Sequence, residues 1–458
     1  MKKNGVKNFK LLLIVLFVAS ILLLMLHPYS YDLNYCENVF MFSAIISLLF
    51  IYVTSKQEGV FNFHTIFIFS FFCINYLHAV FIYPDDSLFP SLYNFYYSSS
   101  IIPYSLGVAQ VGLISYMLGV AAVFKDNNEC KFPQVKVSFK KKVIDTLAIY
   151  IAGGLSIYIL FIRSNADIHL YPRLMVLFAS ALFTCLFIKC SNSTNITLPL
   201  LIRNNKKCFL AIVLYILSQL YIGSRAEVLF LSFAVLGLIN RYYYKLSVKI
   251  LVIAGGLGIL LFAIITFTRI SSINFTTSSI IDVIEYGWDI LVSSENFIIL
   301  SLTDFIVNVR NLYDGIVYAQ ENGLLYGQSY VPYLFSFIPF GGSVLTPLII
   351  GKIPSEVNTA TILTNNIDAN YGIGTNIIAD VYMNFSLCGV IVFMFLFGML
   401  VQKSKQSSSV SGHFLYFSLL ANAMYLGRAS IVAWVDMFVF NLIIYYAIIG
   451  YSRIKSKV

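Results

Sequence analysis

Charge is scarce in this chain of 458 residues, with Asp, Glu, Lys and Arg together making up only 11%. A soluble globular domain carries about 25%. Set beside 59% hydrophobic residues and a mean hydropathy of +0.82, that scarcity excludes a soluble protein. Signatures of metal and nucleotide chemistry are missing too. His27, His64, His78, His169 and His413 form no H-E-x-x-H pattern, and the seven cysteines show neither metal-site spacing nor a disulfide framework. Without a glycine-rich phosphate loop, an ATP-driven pump on this chain alone is excluded. The basic start Met1 to Lys10 leads into an apolar run, but no small-residue cleavage pattern follows, so the run reads as a first membrane span.

What is present is a series of long apolar runs, such as Leu11 to Leu26, recurring along the whole chain. A soluble enzyme on one anchor is therefore excluded as well. A helix of roughly 20 residues crosses the hydrocarbon core, which predicts about 12 transmembrane helices in an all-α, polytopic membrane protein. The expected spans are 10–27, 38–54, 62–82, 102–124, 143–162, 174–189, 208–223, 226–240, 250–267, 376–400, 411–427 and 430–450. The seventh and eighth, separated only by Gly223-Ser224-Arg225, read either as two spans or as a broken, partly re-entrant pair.

The net charge of +9 does not indicate nucleic acid, because the basic residues fall between apolar runs, mostly as lysines. With both termini cytoplasmic, 23 of the 30 basic residues lie on the inner side, where the positive-inside tendency places them. The seven on the outer side are Arg163, Arg173, Arg225, Arg269, Arg310, Lys352 and Arg428. Topology needs only positive charge, so an excess of arginine on the disfavoured side points to the guanidinium fork, which grips phosphate or carboxylate through two bonds. The plainer alternative is pairing with neighbouring acids or lipid headgroups.

Between the ninth and tenth spans lies an outer segment, residues 268–375, far longer than ordinary helix connections. It separates a bundle of nine spans (1–267) from three final spans and a cytoplasmic tail (376–458). Apolar positions repeat at three and four residue spacing over 279–293 and 298–318, predicting amphipathic helices at the mouth of the bundle. Pro339, Gly341, Gly342 and Pro347 break the apolar stretch from Leu334 to Ile350, and the remainder, with Gly327-Gln-Ser-Tyr330, Pro354 and the polar run Asn365 to Asn376, reads as loop. Asp145, Glu227, Asp380, Arg428 and Asp436 sit inside or at the ends of spans, where charge is costly and faces protein or water. If the seventh, eighth, eleventh and twelfth helices are neighbours, Arg225 and Arg428 converge on one anion; the competing reading is an Arg-Glu-Asp network that holds the bundle together.

Several of these segments carry a resemblance. Tyr221-Ile-Gly-Ser-Arg-Ala-Glu227, Gly327-Gln-Ser-Tyr330, Ile338-Pro339 and Gly374-Thr-Asn-Ile-Ile-Ala-Asp-Val-Tyr-Met-Asn-Phe-Ser-Leu-Cys-Gly389, ahead of an apolar span, resemble the Wzy-type oligosaccharide repeat-unit polymerases of bacterial O-antigen or capsule clusters. Relatives often follow the loop proline with a basic residue; here Phe340 follows Pro339, and no arginine role carries over to that point. The resemblance implies a GT-C-like glycosyltransferase of the inner membrane, with a large periplasmic loop and an active site facing the periplasm. Its substrate would be undecaprenyl-diphosphate-linked oligosaccharide, with no metal or nucleotide cofactor. Membrane lipids, and a chain-length regulator and flippase of the same pathway, would be its partners. Arg225, Arg428, Arg269 and Arg310 are then expected to bind the diphosphate. Asp304, Glu285 and Asp289, in that order, are candidates for the base, and Glu227, His169, Arg173 and Asp380 for further substrate contacts. An O-antigen ligase shares donor and arginines but uses a lipid A core acceptor; a lipid-linked oligosaccharide flippase should instead show two pseudo-symmetric halves.

Overall fold

The computed structural model describes residues 3–84, 99–125, 144–151, 153–155, 172–191, 197–221, 225–270, 285, 288–289, 302, 305–306 and 307–338, 340–369 and 372–455. Within them the chain is helical, and a helix overlaps every expected span. Among the described residues, six helices are long and apolar enough to cross a membrane. They include α1 (Lys3–Met25), α2 (Leu33–Glu58), α3 (Phe63–Asn75, prolonged by a π turn over His78–Ile82) and α4 (Ile101–Val123). A shorter apolar helix, α5 (Ile144–Leu155), precedes α6 (Pro172–Ser191), the fifth of the six. Then come α7 (Leu198–Asn204), α8 (Lys206–Tyr221), α9 (Arg225–Tyr242) and α10 (Val248–Ile270).

The outer segment contributes α11 (Val309–Asn322), α12 (Val331–Leu334), α13 (Gly341–Ile350), α14 (Pro354–Val357) and α15 (Thr359–Asn366). The sixth long apolar helix, α16 (Ile377–Lys405), leads into α17 (Val410–Asn422) and α18 (Val435–Lys455).

The α4–α16 pair forms the centre, and glycine is the reason the two can approach so closely. A Cβ on Gly119 would lie 1.9 Å from the Phe395 carbonyl oxygen, and one on Gly398 would lie 2.1 Å from that of Tyr116. Small residues let backbones meet, which is how helices gain contact in a solvent as apolar as their own side chains. The apolar surfaces of α1, α2, α8 and α10 point away, leaving Leu11, Leu48, Leu210 and Val252 exposed.

Contacts at the helix ends fix the direction of each helix. At one end Lys10 donates to the Ala122 carbonyl (3.1 Å), Arg241 to that of Lys405, Asn240 to that of Phe61 (2.9 Å) and Tyr243 to that of Cys190 (2.9 Å). At the opposite end Tyr31 donates to the Ala79 carbonyl (2.8 Å), Asn376 to the Asn75 side chain (2.9 Å), and the Tyr104 and Tyr382 hydroxyls meet at 3.0 Å. Lysines therefore gather at one end. The outer segment packs at the other, where His78 of the π turn meets the Tyr313 hydroxyl of α11 at 3.2 Å.

One expectation needs revision. The second half of the outer segment is not loop: Pro332 and Pro354, each in the first turn of a short helix, and Asn358, whose side chain accepts from Ala360 N–H (2.9 Å), start helices there. The amphipathic stretch over 298–318 is helical at 302, 305–306 and from Val309 to Asn322, while 298–301, 303–304 and nearly all of 279–293 lie outside the described residues. Asp145, an intramembrane charge expected to face protein or water, is paired with Lys189 of α6.

Candidate functional site

Asn376 starts α16 by accepting from Ile378 N–H (2.9 Å) and Ala379 N–H (3.4 Å), which leaves its amide nitrogen for Asn75. In the next positions comes Asp380, with no exposed surface. Its carboxylate accepts from the Thr359 hydroxyl (2.7 Å), the Ser430 hydroxyl (2.8 Å) and Ile431 N–H (3.2 Å). One charge thus ties the start of α15, the connection from α17 to α18, and the first turn of α16. Three donors and the positive end of the helix offset the cost of removing it from water. Nearby, Tyr330 and Tyr333 of the outer segment are pushed above the usual phenol range, Tyr333 to about 12, by burial and then by the Asp380 charge.

Below Asp380 the membrane helix is broken. Ser386 has φ 59° and ψ −164°, a region that side-chain-bearing residues rarely occupy. The break frees the carbonyls of Met383 and Asn384, and the outer segment fills the gap: Leu325 N–H donates to Met383 (2.9 Å) and Tyr326 N–H to Asn384 (3.1 Å). The Asn384 side chain accepts from Gly327 N–H (2.9 Å) and donates to Ser329 (2.7 Å) and to the Asp380 carbonyl (2.7 Å). Gly327 turns at φ +83°, and its missing Cβ would come within 3.1 Å of the Phe385 ring. Irregular backbone at membrane depth needs protein partners for its polar groups, and the 325–329 turn supplies them.

Three arginines lie toward the start of α16, on the Asp380 side of the break. Arg310 on α11 is only 4% exposed, and Asp314 follows one turn later. Burial pushes the Asp314 carboxyl up to about 7 against the opposing pull of Arg310. Asn311 beside them donates to the Ile373 carbonyl (3.1 Å) and to Asn308 (3.1 Å). A Cβ on Gly374 would sit 3.4 Å from the Arg428 carbonyl oxygen, so α11, residues 373–374 and Arg428 share one corner. The Arg428 guanidinium lies 4.9 Å from the Tyr425 ring centre, and that ring packs edge-on against Phe230 of α9 at 5.8 Å. On the α18 side Arg173 faces Asp436 (3.9 Å), which also accepts from Ser336.

The remaining sequence candidates divide into two groups. Glu227 is half-buried in the first turn of α9; Glu285 and Asp289 are exposed. Arg225 and Arg269 lie on the helical backbones of α9 and α10, with side chains outside the described residues, as are Asp304 and His169 altogether. The contact between Phe230 and Tyr425 does make the eighth and eleventh spans neighbours, as convergence of Arg225 and Arg428 requires. Sequence reasoning missed Asn384, Ser386, Thr359 and Ser430, and counted Asp314 only as one acid among many. The Gly327-Gln-Ser and Asp380 to Asn384 segments had been singled out, yet nothing in them signals that they pair. Among the described residues no group of three His, Cys, Asp or Glu side chains is arranged to hold a metal ion. No family model, curated protein or solved structure matches the chain.

Proposed function

We propose that this polytopic membrane protein polymerises undecaprenyl-diphosphate-linked oligosaccharide repeat units, in a GT-C-like fold of about 12 spans with its active site at the periplasmic face of the inner membrane. The observation that carries the reading is the broken helix α16, whose gap is filled by the outer segment at the end opposite the lysines. Interrupted helices at membrane depth are characteristic of protein-lined or wet sites, and the helix that carries this one begins beside the corner shared by α11 and Arg428. With the lysine end cytoplasmic, both termini are inside and those arginines face the periplasm.

The chemistry needs two things from the chain. As the acceptor hydroxyl oxygen bonds to the anomeric carbon, the carbon–oxygen bond to the diphosphate breaks and the leaving group keeps the electron pair. Arg310, Arg428, Arg225 and Arg269 neutralise the charge growing on it. The hydroxyl proton goes to a carboxylate of the outer segment; Asp314, held near neutrality, joins Asp304, Glu285 and Asp289 in that role. Glu227, His169 and Arg173 contact the sugars, and Asp380 holds the three elements that frame the reaction. The reaction requires no metal or nucleotide, and the pathway's flippase and chain-length regulator work alongside it.

Deleting the gene tests this reading. Single repeat units capped onto lipopolysaccharide are expected. Free lipid-linked polymer would replace the reading with a ligase, and units trapped on the cytoplasmic side would replace it with a flippase.

A further inference from the structure

A second polar feature lies at the far end of the bundle from the arginines. Between the lysine ends of α1, α4 and α16 is a cavity of about 540 Å³, lined by Lys10, Ala122, Val123, Phe124, Lys125, Lys403 and Gln406. That volume falls within the roughly 300–1,000 Å³ of ligand pockets. Its described lining supplies three ammonium groups and no carboxylate. The C-termini of α4 and α16 oppose them with about half a negative charge each. Part of that opposition is already masked, because Lys10 donates to the Ala122 carbonyl at 3.1 Å.

The walls are braced as well as charged. Turned so that both its groups are satisfied, the Gln406 amide donates to the Val123 carbonyl (3.1 Å) and accepts from Lys125 N–H (3.0 Å) and from the Gln402 amide (2.6 Å). Gln402 in turn accepts from the buried His64 ring (2.9 Å), whose other nitrogen meets the Tyr116 hydroxyl (2.6 Å). The cavity is therefore built on a hydrogen-bonded chain that reaches into the bundle core. Beside it, Leu11, Ile14, Val15 and Val18 expose their side chains along α1. An anion that also carries hydrocarbon would complement the lysine-lined cavity and that apolar stripe together.

We propose that this cavity binds the phosphate of an anionic phospholipid headgroup, with the acyl chains laid along α1. Basic pockets between membrane helices favour such headgroups, and each lysine near an anionic surface adds a comparable increment of affinity. The site is separate from the arginine end and does not depend on the function proposed above.

The test uses the full chain in detergent, titrated with phosphatidylglycerol and followed by native mass spectrometry. One saturable phosphatidylglycerol adduct is expected, with none from phosphatidylcholine. The Lys125→Gln, Lys403→Gln double variant should bind about 30-fold more weakly. Lys56→Gln, at the same end but stacked on Tyr52 outside the cavity, should bind as before. Equal binding of phosphatidylcholine, or undiminished binding by the double variant, would overturn the proposal. Glycerol 3-phosphate competing at the lipid's own concentration would make the cavity a site for a soluble phosphate and overturn the lipid assignment. If the double variant does not fold, a photoactivatable phosphatidylglycerol on the unaltered chain decides: crosslinks within 10–18, 122–125 or 403–406 support the site, and crosslinks elsewhere refute it.

Discussion

Replacing Asp380 with alanine should cost the protein about 2–4 kcal/mol and loosen one defined region first. The change leaves the Thr359 and Ser430 hydroxyls and Ile431 N–H without their acceptor. A buried donor so stranded costs roughly 1–3 kcal/mol. The three together would sum to roughly 3–9 kcal/mol, but the hydroxyls can rotate toward other acceptors, though the amide cannot, and relief from burying a charge returns part of the loss, so a net cost at or just below the bottom of that range is expected. Asp380→Asn retains an oxygen for Thr359 but turns NH2 toward Ile431 N–H, for a loss of about 1–3 kcal/mol.

A reporter is already in place, since Trp434 donates to the Ile431 carbonyl at 2.9 Å. The chain has two tryptophans, and Trp288 is 46% exposed, so Trp288→Phe isolates the signal of Trp434. In a denaturant titration of the detergent-solubilised protein, the alanine variant should unfold earlier, with Trp434 emission red-shifted before the bundle as a whole is lost. Combining Asp380→Ala with Ser430→Ala should show a coupling of about 0.5–3 kcal/mol. A stability within about 0.5 kcal/mol of the parent, the range of an ordinary surface change, together with unshifted emission, would refute the claim that Asp380 ties these elements.

Three other consequences are open to measurement. Ser386→Gly should stabilise by about 0.5–2 kcal/mol in the same titration, because glycine relieves the strain at φ 59° at some entropic cost; a loss of stability would mean that the serine side chain contributes more than the break costs. Gly398→Ala should lower the unfolding midpoint far more than Gly255→Ala, since a Cβ at 398 would lie 2.1 Å from the Tyr116 carbonyl oxygen while one at 255 meets nothing within 4 Å; equal effects would remove the close α4–α16 contact. Asp314 supplies a pH dependence: its folded value of about 7 lies above the ordinary 3.8, so the folded state holds a proton that the unfolded state releases, and stability should fall as pH rises between about 4 and 7. Asp314→Asn should flatten that slope, and an unchanged slope would assign the titration elsewhere.

Apolar runs and lysine placement made the membrane helices legible, because both follow from the bilayer's own requirements and leave marks within one stretch of sequence. The interruption of α16 leaves no such mark. Ser386 sits in an apolar stretch that reads as one continuous span, and what stabilises its backbone comes from residues 325–327, some sixty positions earlier. Asp380 was visible as an intramembrane charge, but its partners at 359, 430 and 431 lie far away in sequence, so its binding of three elements was not. The arginine bias was readable by counting; the shared corner of Arg310, Gly374 and Arg428 depended on how the outer segment packs.

The most direct test of the account is elongation in vitro. The chain, reconstituted in vesicles, is given purified undecaprenyl-diphosphate repeat units with a chelator and no nucleotide, and the lipid-linked products are separated by length. A ladder of longer polymers is expected, with Arg428→Lys reducing the rate at least about tenfold at equal protein, because the ammonium keeps the charge but loses the fork. No ladder, a strict need for nucleotide, or transfer only when a lipid A core acceptor is added would contradict the proposed polymerase.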